Sequence, residues 1–243
     1  ISEQLARGKE AVRSKRPVRS FIAYFQAFTN TYAPVDYLES IFMEAIKDPD
    51  VKILSIATRP DCLGSDVLGV LDRLNQIKPV WVELGLQTIH PETAEYIRRG
   101  YPLSVFDSAV RSLRSISISV IVHTILYLPG ETEEMMLSTI DYLNRSDIQG
   151  IKLQLLHVLE GTDLAEEYAR APFHTPDLEE YITMVGKCIS RLRPDIVIHR
   201  LTGDGPKDLL VAPLWTGAKR TVLNRLQQYL KQEDIEQGQD YSG

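Results

Sequence analysis

An acid, an amide and a guanidinium punctuate one segment, Val80-Trp-Val-Glu-Leu-Gly-Leu-Gln-Thr-Ile-His90, which runs on to Tyr96-Ile-Arg-Arg-Gly-Tyr101. The β-branched and aromatic run from Val80 to Leu84 reads as a strand. A polar elbow follows, then a helix that opens on Pro91 with Glu92 and Glu95 near its positive end. Glu83 and Gln87 are thereby carried toward and past the carboxyl end of the strand, where parallel α/β folds gather their ligands. Alternation puts Glu83 on the opposite face from Val82 and Leu84. From there a carboxylate accepts a hydrogen bond from an ammonium or a ribose hydroxyl, while Gln87 can both donate and accept. Arg99 follows Gln87 by twelve residues, near the helix end. A lone arginine is more often a surface residue, and the spacing from Gln87 is what makes this one a candidate.

Other strand ends carry chemistry of their own. Tyr24-Phe-Gln-Ala-Phe-Thr-Asn-Thr-Tyr32 interleaves Gln26, Thr29, Asn30 and Thr31 with aromatics, either as a donor-bearing loop over an apolar floor or as caps for the next helix. Arg59 emerges from an apolar strand just before Pro60, where the chain stays extended, and its anionic partner is either Asp61 or a ligand carboxylate. His123 interrupts the apolar run Val120–Leu126, as a core histidine or a site residue. Pro129-Gly130 forces a turn, and Thr132 with its acidic followers starts a helix. Exposed backbone at Gly130 can hydrogen-bond the edge of a heterocycle such as adenine, with Leu128 against its face. His157 and His199 each arrive at a strand terminus, with Arg200 beside the latter, and imidazole suits proton transfer or substrate orientation near neutral pH. Two histidines alone make an incomplete metal site.

These residues need elements to hold them. Strand-like runs at Ser20–Phe25, Ile53–Ala57, Val80–Leu84, Val120–Leu126, Gly150–Leu156 and Ile196–His199 alternate with helical patterns at Tyr37–Lys47, Asp66–Gln76, Pro91–Arg98, Leu103–Ile116, Thr132–Arg145 and Asp177–Arg191. Such alternation predicts a parallel sheet with right-handed crossovers, and near-continuously apolar strands predict that both faces are covered. Six strands of an α/β fold fit closure into a full or partial barrel better than a flat dinucleotide-binding sheet, and neither G-x-G-x-x-G nor a P-loop occurs. Residues 1–243 read as one domain with a polar, frayed tail from about 232 to 243.

With 44% hydrophobic and 25% charged residues, the composition fits a soluble globular chain, and no apolar run approaches the ~20 residues of a membrane span. Ile1-Ser-Glu-Gln does not open a signal peptide, and a start at Ile1 leads to the expectation of a preceding segment. Cys62 and Cys188 give neither a disulfide framework nor a C-x-x-C pair, which fits reduced thiols in the cytoplasm. Net charge is −6, yet Arg7, Lys9, Arg13, Lys15, Arg16 and Arg19 cluster at the start, as a solvated helix face or a phosphate-binding one.

Taken in order, F-I-A-Y-F-Q-A-x-T-N-T-Y, T-R-P-D-C, V-W-V-E-L-G-L-Q-T, L-L-H-V-x-x-G-T and I-H-R-L-T-G-D-G-P resemble the YhcC-like subfamily of the radical S-adenosylmethionine (SAM) enzymes. More distantly the chain is similar to the Elongator catalytic subunit and to oxygen-independent coproporphyrinogen III oxidase. The resemblance implies a partial (β/α)6 TIM-like barrel that binds SAM beside a 4Fe–4S cluster. It also implies an electron donor such as flavodoxin or ferredoxin, and a 5′-deoxyadenosyl radical that abstracts a substrate hydrogen. It would place Thr29 and Asn30 at the methionine amino group, Thr58 near the methionine moiety and Gln87 at the ribose. Arg99 would meet the SAM carboxylate, and Leu128 and Gly130 would lie in the adenine segment. His123 stands where the family often has an acidic ribose contact. The family's three cluster cysteines, in C-x3-C-x2-C or a close variant, have no counterpart here. They and the first barrel strand are expected upstream of Ile1, leaving no metal ligand in this chain and the fragment alone inactive.

Two other classes remain open: a degenerate SAM-fold binding or regulatory module, and a conventional barrel lyase or hydrolase using His157, His199 and Asp204. No membrane partner is expected. The substrate is unspecified. tRNA is a candidate from the basic opening and the Elongator-like motifs, against the acidic whole and the lack of an RNA-binding module.

Overall fold

The predicted runs of apolar and amphipathic residues condense into the elements their periods require. A computed structural model of the chain describes residues 1–203 and 205–243. In order these are α1 (Ser2–Arg13), β1 (Phe21–Phe25), α2 (Val35–Lys47), β2 (Val51–Thr58), α3 (Ser65–Asn75), β3 (Val80–Gln87), α4 (Pro91–Tyr96), α5 (Leu103–Ser115), β4 (Ser119–Leu126), α6 (Glu133–Asn144), β5 (Gly150–Leu155), β6 (Val158–Leu159), α7 (Asp163–Arg170), α8 (Leu178–Arg191), β7 (Val197–Arg200), β8 (Leu210–Ala212) and α9 (Lys219–Gln232). Six strands form one sheet in the order β1-β2-β3-β4-β5-β7, with β1/β2, β2/β3 and β5/β7 paired in parallel. These are the six expected strands. β3 runs three residues further than expected, so Gln87 is its last residue and the start of the elbow.

The chain divides into two compact units: Ile1–Gly85 with Tyr101–Val122, and Leu86–Gly100 with His123–Gly243. In the first, β2 buries Leu54 and Ile56, β3 buries Val82 and Leu84, and α2 and α3 cover them with Phe42, Ile46, Leu71 and Leu74. The Phe42 ring meets Phe25 edge-on, with centroids 5.0 Å apart. At the start of the chain, Lys9 binds Asp48 at 2.7 Å and Asp50 at 3.1 Å, and Arg13 binds Asp50 at 2.9 Å, tying α1 to the turn between α2 and β2. Arg7, Lys15, Arg16 and Arg19 stay exposed.

In the second unit, Asp177 caps α8 in a reciprocal box with Glu180: the Glu180 amide donates to Asp177 Oδ1 at 2.9 Å, and the Asp177 amide donates to Glu180 Oε2 at 2.7 Å. Thr132 caps α6, as its position predicts, by accepting from the Met135 amide. The tail beyond α9 departs from expectation. It is not frayed, because the Gly238 and Asp240 amides donate to the Ile189 and Ser190 carbonyls and Gln237 Nε2 donates to the Arg193 and Ile196 carbonyls. Backbone bonding onto the end of α8 thus orders a segment whose polarity suggested freedom. Also unforeseen was the antiparallel β6/β8 pair, whose two and three residues are too short to show a period.

Phe42 is fully buried and Phe28 is 99% exposed. Phe42→Ala is therefore expected to cost roughly 3–5 kcal/mol in urea unfolding, and Phe28→Ala within about 0.5 kcal/mol of nothing.

Candidate functional site

Polar side chains gather at the carboxyl ends of the strands. In the first unit Glu83 is 4% exposed and accepts hydrogen bonds from Ser55 Oγ and Tyr24 Oη, each at 2.8 Å, so β1, β2 and β3 each contribute one member. A buried carboxylate requires such donors. Thr31 Oγ1 donates to the Cys62 carbonyl at 2.7 Å. With its one proton so used, Thr31 is the acceptor in its 2.5 Å contact with Thr58, and Thr58 donates. Asn30 Nδ2 lies 2.8 Å from the Ala57 carbonyl, 3.2 Å from that of Ala27 and 3.3 Å from that of Phe25. It stitches the loop after β1 to β2 across the left-handed residues Ala27 and Phe28. Thr29 sits half-buried beside it. Arg59 is half-exposed, not buried. It forks onto Asp61 through Nε (2.9 Å) and Nη2 (2.7 Å) and lies over the Tyr101 ring, so its anionic partner is the structural one. The guanidinium holds the Asp61 carboxyl below its ordinary value.

In the second unit the elbow after β3 is the most constrained feature. Gln87 has φ +67°, left-handed for a residue with a long side chain. The Thr88 amide closes a three-residue turn onto the Leu86 carbonyl at 2.9 Å. Arg99, 7% exposed, donates through Nη1 to the carbonyls on both sides of Gln87, Leu86 at 3.2 Å and Thr88 at 2.5 Å. The Thr88 hydroxyl, fully buried, donates to the Glu131 carboxylate and accepts from the His90 amide at 3.1 Å. Glu131 is presented by a turn closed from its amide to the Leu128 carbonyl, with Gly130 at φ +84°. A Cβ at Gly130 would meet nothing within 4 Å, so the backbone angle, not space, calls for glycine. Leu128 is 2% exposed and belongs to the core, so what this turn presents is backbone. Gln87 and Glu131 line one cleft together with Thr124, Leu126 and Met136, which is too narrow to admit a water molecule.

A second group in this unit joins three strands. Gln154 Nε2 lies 3.4 Å from His123 Nδ1, and Arg200 Nη1 lies 3.5 Å from Gln154 Oε1. The imidazole of His157 packs against a glycine loop: a Cβ at Gly203 would stand 3.1 Å from its Cε1, and one at Gly205 3.4 Å from its Cγ. His199 alternates with Arg200 along β7. The expected Asp204 lies outside the described residues.

Thr88, Glu131 and Gln154 escaped the sequence reading. Glu131 stood inside the L-P-G-E-T turn, and Gln154 was the one polar, non-lysine residue of an apolar strand. Those were the available signals.

Residues 3–143 match the radical SAM superfamily, and residues 148–232 match the radical SAM C-terminal domain. The chain belongs to the radical SAM superfamily. It is 39% identical over 230 residues to the uncharacterized protein YtqA of Bacillus subtilis, covering 95% of this chain and 71% of that protein. To YhcC of Escherichia coli it is 33% identical over 238 residues, covering 97% and 76%. A tRNA uridine(34) acetyltransferase of Methanocaldococcus jannaschii is 27% identical over 176 residues, 71% of this chain and 31% of that protein. Among solved structures, archaeal Elp3 of Methanocaldococcus infernus lacking residues 1–46 superposes with a TM-score of 0.80 at 18% identity, over 96% of this chain and 58% of that one. The fold is thus the α/β, partial (β/α)6 TIM-like barrel that radical SAM proteins share, as the resemblance implied.

Radical SAM proteins carry an iron–sulfur cluster, and the residues described here do not fit one. No three His, Cys, Asp or Glu side chains among them converge on a metal position. Cys188 is buried in α8, its thiol pushed up to about 12 by burial, and Cys62 is half-exposed with its thiol also raised by burial. No helix is long and apolar enough to cross a membrane.

Two expectations follow. A disulfide reagent should modify Cys62 in the native chain and Cys188 only after denaturation, and rapid reaction of both would contradict the burial. Burial also raises the Glu131 carboxyl above its ordinary value, against the opposing pull of Thr88 and His90. The folded chain then holds that proton more tightly than the unfolded one, so this contribution is full below the ordinary value and is lost as pH rises through the raised one. Glu131→Gln, which mimics the protonated acid, should melt higher than the parent at pH 8 and equally at pH 4. A difference independent of pH would contradict the assignment.

Proposed function

We propose that this chain supplies SAM-binding residues of a radical SAM enzyme, which cleaves SAM reductively to a 5′-deoxyadenosyl radical for hydrogen abstraction. The observation that carries this reading is the Gln87 elbow within the superfamily match: a donor–acceptor amide, held in a strained conformation at a strand's carboxyl end. In this reading Gln87 meets a ribose hydroxyl, and His123 contributes where an acid is common. Thr29, Asn30, Thr58 and Glu83 order the strand ends toward the methionine moiety, and the backbone of Leu128 and Gly130 meets the adenine edge. Arg99 meets the SAM carboxylate in this reading, beside the carbonyls of Leu86 and Thr88 that its Nη1 binds. His157, His199 and Arg200 are the candidates for handling substrate. Cluster chemistry requires cysteines other than Cys62 and Cys188, so this chain's own part is to bind and orient.

For substrate we propose tRNA. The named activity of the Methanocaldococcus jannaschii relative supports it, as do the exposed cations Arg7, Lys15, Arg16 and Arg19, which suit a phosphate backbone. A second reading, a SAM-fold binding module without radical chemistry, is favoured by the absence of a metal-binding group among the described residues.

Anaerobically purified full-length protein separates the two. About four irons per chain, with SAM-dependent release of 5′-deoxyadenosine on reduction, is the expected result. No cluster after reconstitution would leave the binding module.

A further inference from the structure

The left-handed residue at the end of β3 is gripped from two sides. We propose that Glu131, acting through Thr88, and Arg99 are positioning residues that hold Gln87 for its ligand. The identity of that ligand as a ribose hydroxyl rests on the SAM reading above.

Glutamine has no intrinsic claim on φ +67°, so the surroundings must impose it. Arg99 Nη1 binds the carbonyls of the residues before and after Gln87, Leu86 and Thr88, and the Thr88 amide closes the turn onto Leu86. These bonds hold the Gln87 backbone only while Thr88 stays in place, and the Thr88 side chain needs an anchor of its own. Glu131 supplies it. Its carboxylate accepts a hydrogen bond from the Thr88 hydroxyl, and the same hydroxyl accepts one from the His90 amide, so the Thr88 side chain is held from both sides. His90 is itself fixed by its Nε2 contact with the Met135 carbonyl at 2.9 Å. The arrangement joins the β3 elbow to the turn before α6, and Gln87 and Glu131 line the same cleft. Glu131 bonds the residue next to Gln87 and acts through it. A hydroxyl both donates and accepts, as the Gln87 amide does, so orientation of that amide decides whether both bonds form.

The test uses two readouts on the same chain: carbon chemical shifts of Gln87, which report left-handed backbone, and calorimetric SAM affinity. Thr88→Val and Glu131→Ala should move the Gln87 shifts out of the left-handed range and weaken SAM about tenfold, while Thr88→Ser and Glu131→Gln, which keep the hydrogen bond, should retain both. In a Gln87→Ala background Glu131→Ala should cost no further affinity, because its effect passes through Gln87. Gln87 shifts that stay left-handed in Thr88→Val and Glu131→Ala would overturn the inference, as would an affinity loss of equal size with and without Gln87. If the parent chain binds no SAM yet the two variants still release Gln87, the clamp stands and the SAM reading fails.

Discussion

A buried guanidinium on two backbone carbonyls governs the geometry of the strand end on which the functional reading depends. Arginine keeps its charge at any physiological pH, so a nearly buried one must find acceptors, and Arg99 finds them at Leu86 and Thr88 on either side of Gln87. Left-handed backbone at a residue of this kind costs roughly 1–3 kcal/mol, and the carbonyl pair offsets that cost. The way α4 ends serves the same purpose. The Arg99 amide bonds back to the Ala94 carbonyl, and Arg98 and Gly100 both take positive φ, turning the chain so that the Arg99 side chain returns to the strand it left twelve residues earlier. One helix end and one strand end are thus a single hydrogen-bonded object.

The first unit solves the same problem by other means. Glu83 is answered by hydroxyls on two neighbouring strands, and the parallel register that sets Tyr24 beside Ser55 puts both donors on the face where Glu83 points. Asn30 binds three carbonyls at the ends of β1 and β2 instead of letting them face outward. The polar groups at these strand ends are therefore engaged by the chain's own hydrogen bonds. Preorganisation of this kind lowers the entropic cost of binding, whatever the bound molecule proves to be.

The fold was largely legible in the sequence because its signals are local. Apolar runs such as Val120–Leu126 and periodic stretches such as Leu103–Ser115 carry their own evidence, and all six strands of the sheet were visible that way. The site was legible only in part. Glu83, Gln87 and Arg99 stand out because their polarity breaks an apolar context at a strand end. Nothing local distinguishes Thr88 or Glu131, because their meaning lies in a hydrogen bond spanning 43 residues, and Gln154 acquires its role from His123 and Arg200 on other strands. For Arg59 the sequence left the choice open between Asp61 and a ligand carboxylate, and the carboxylate two residues away satisfies it at the surface. The ordered tail was hidden for the same reason as Thr88, since the carbonyls it binds belong to the end of α8.

Most directly at stake is whether the Gln87 elbow faces a nucleoside. A crystal structure of the chain grown with SAM would decide it. The account predicts a ribose hydroxyl within hydrogen-bond distance of the Gln87 amide, with Arg99 Nη1 still on the carbonyls of Leu86 and Thr88. A SAM molecule bound away from this elbow, or a Gln87 turned to ordinary extended backbone in the complex, would contradict it.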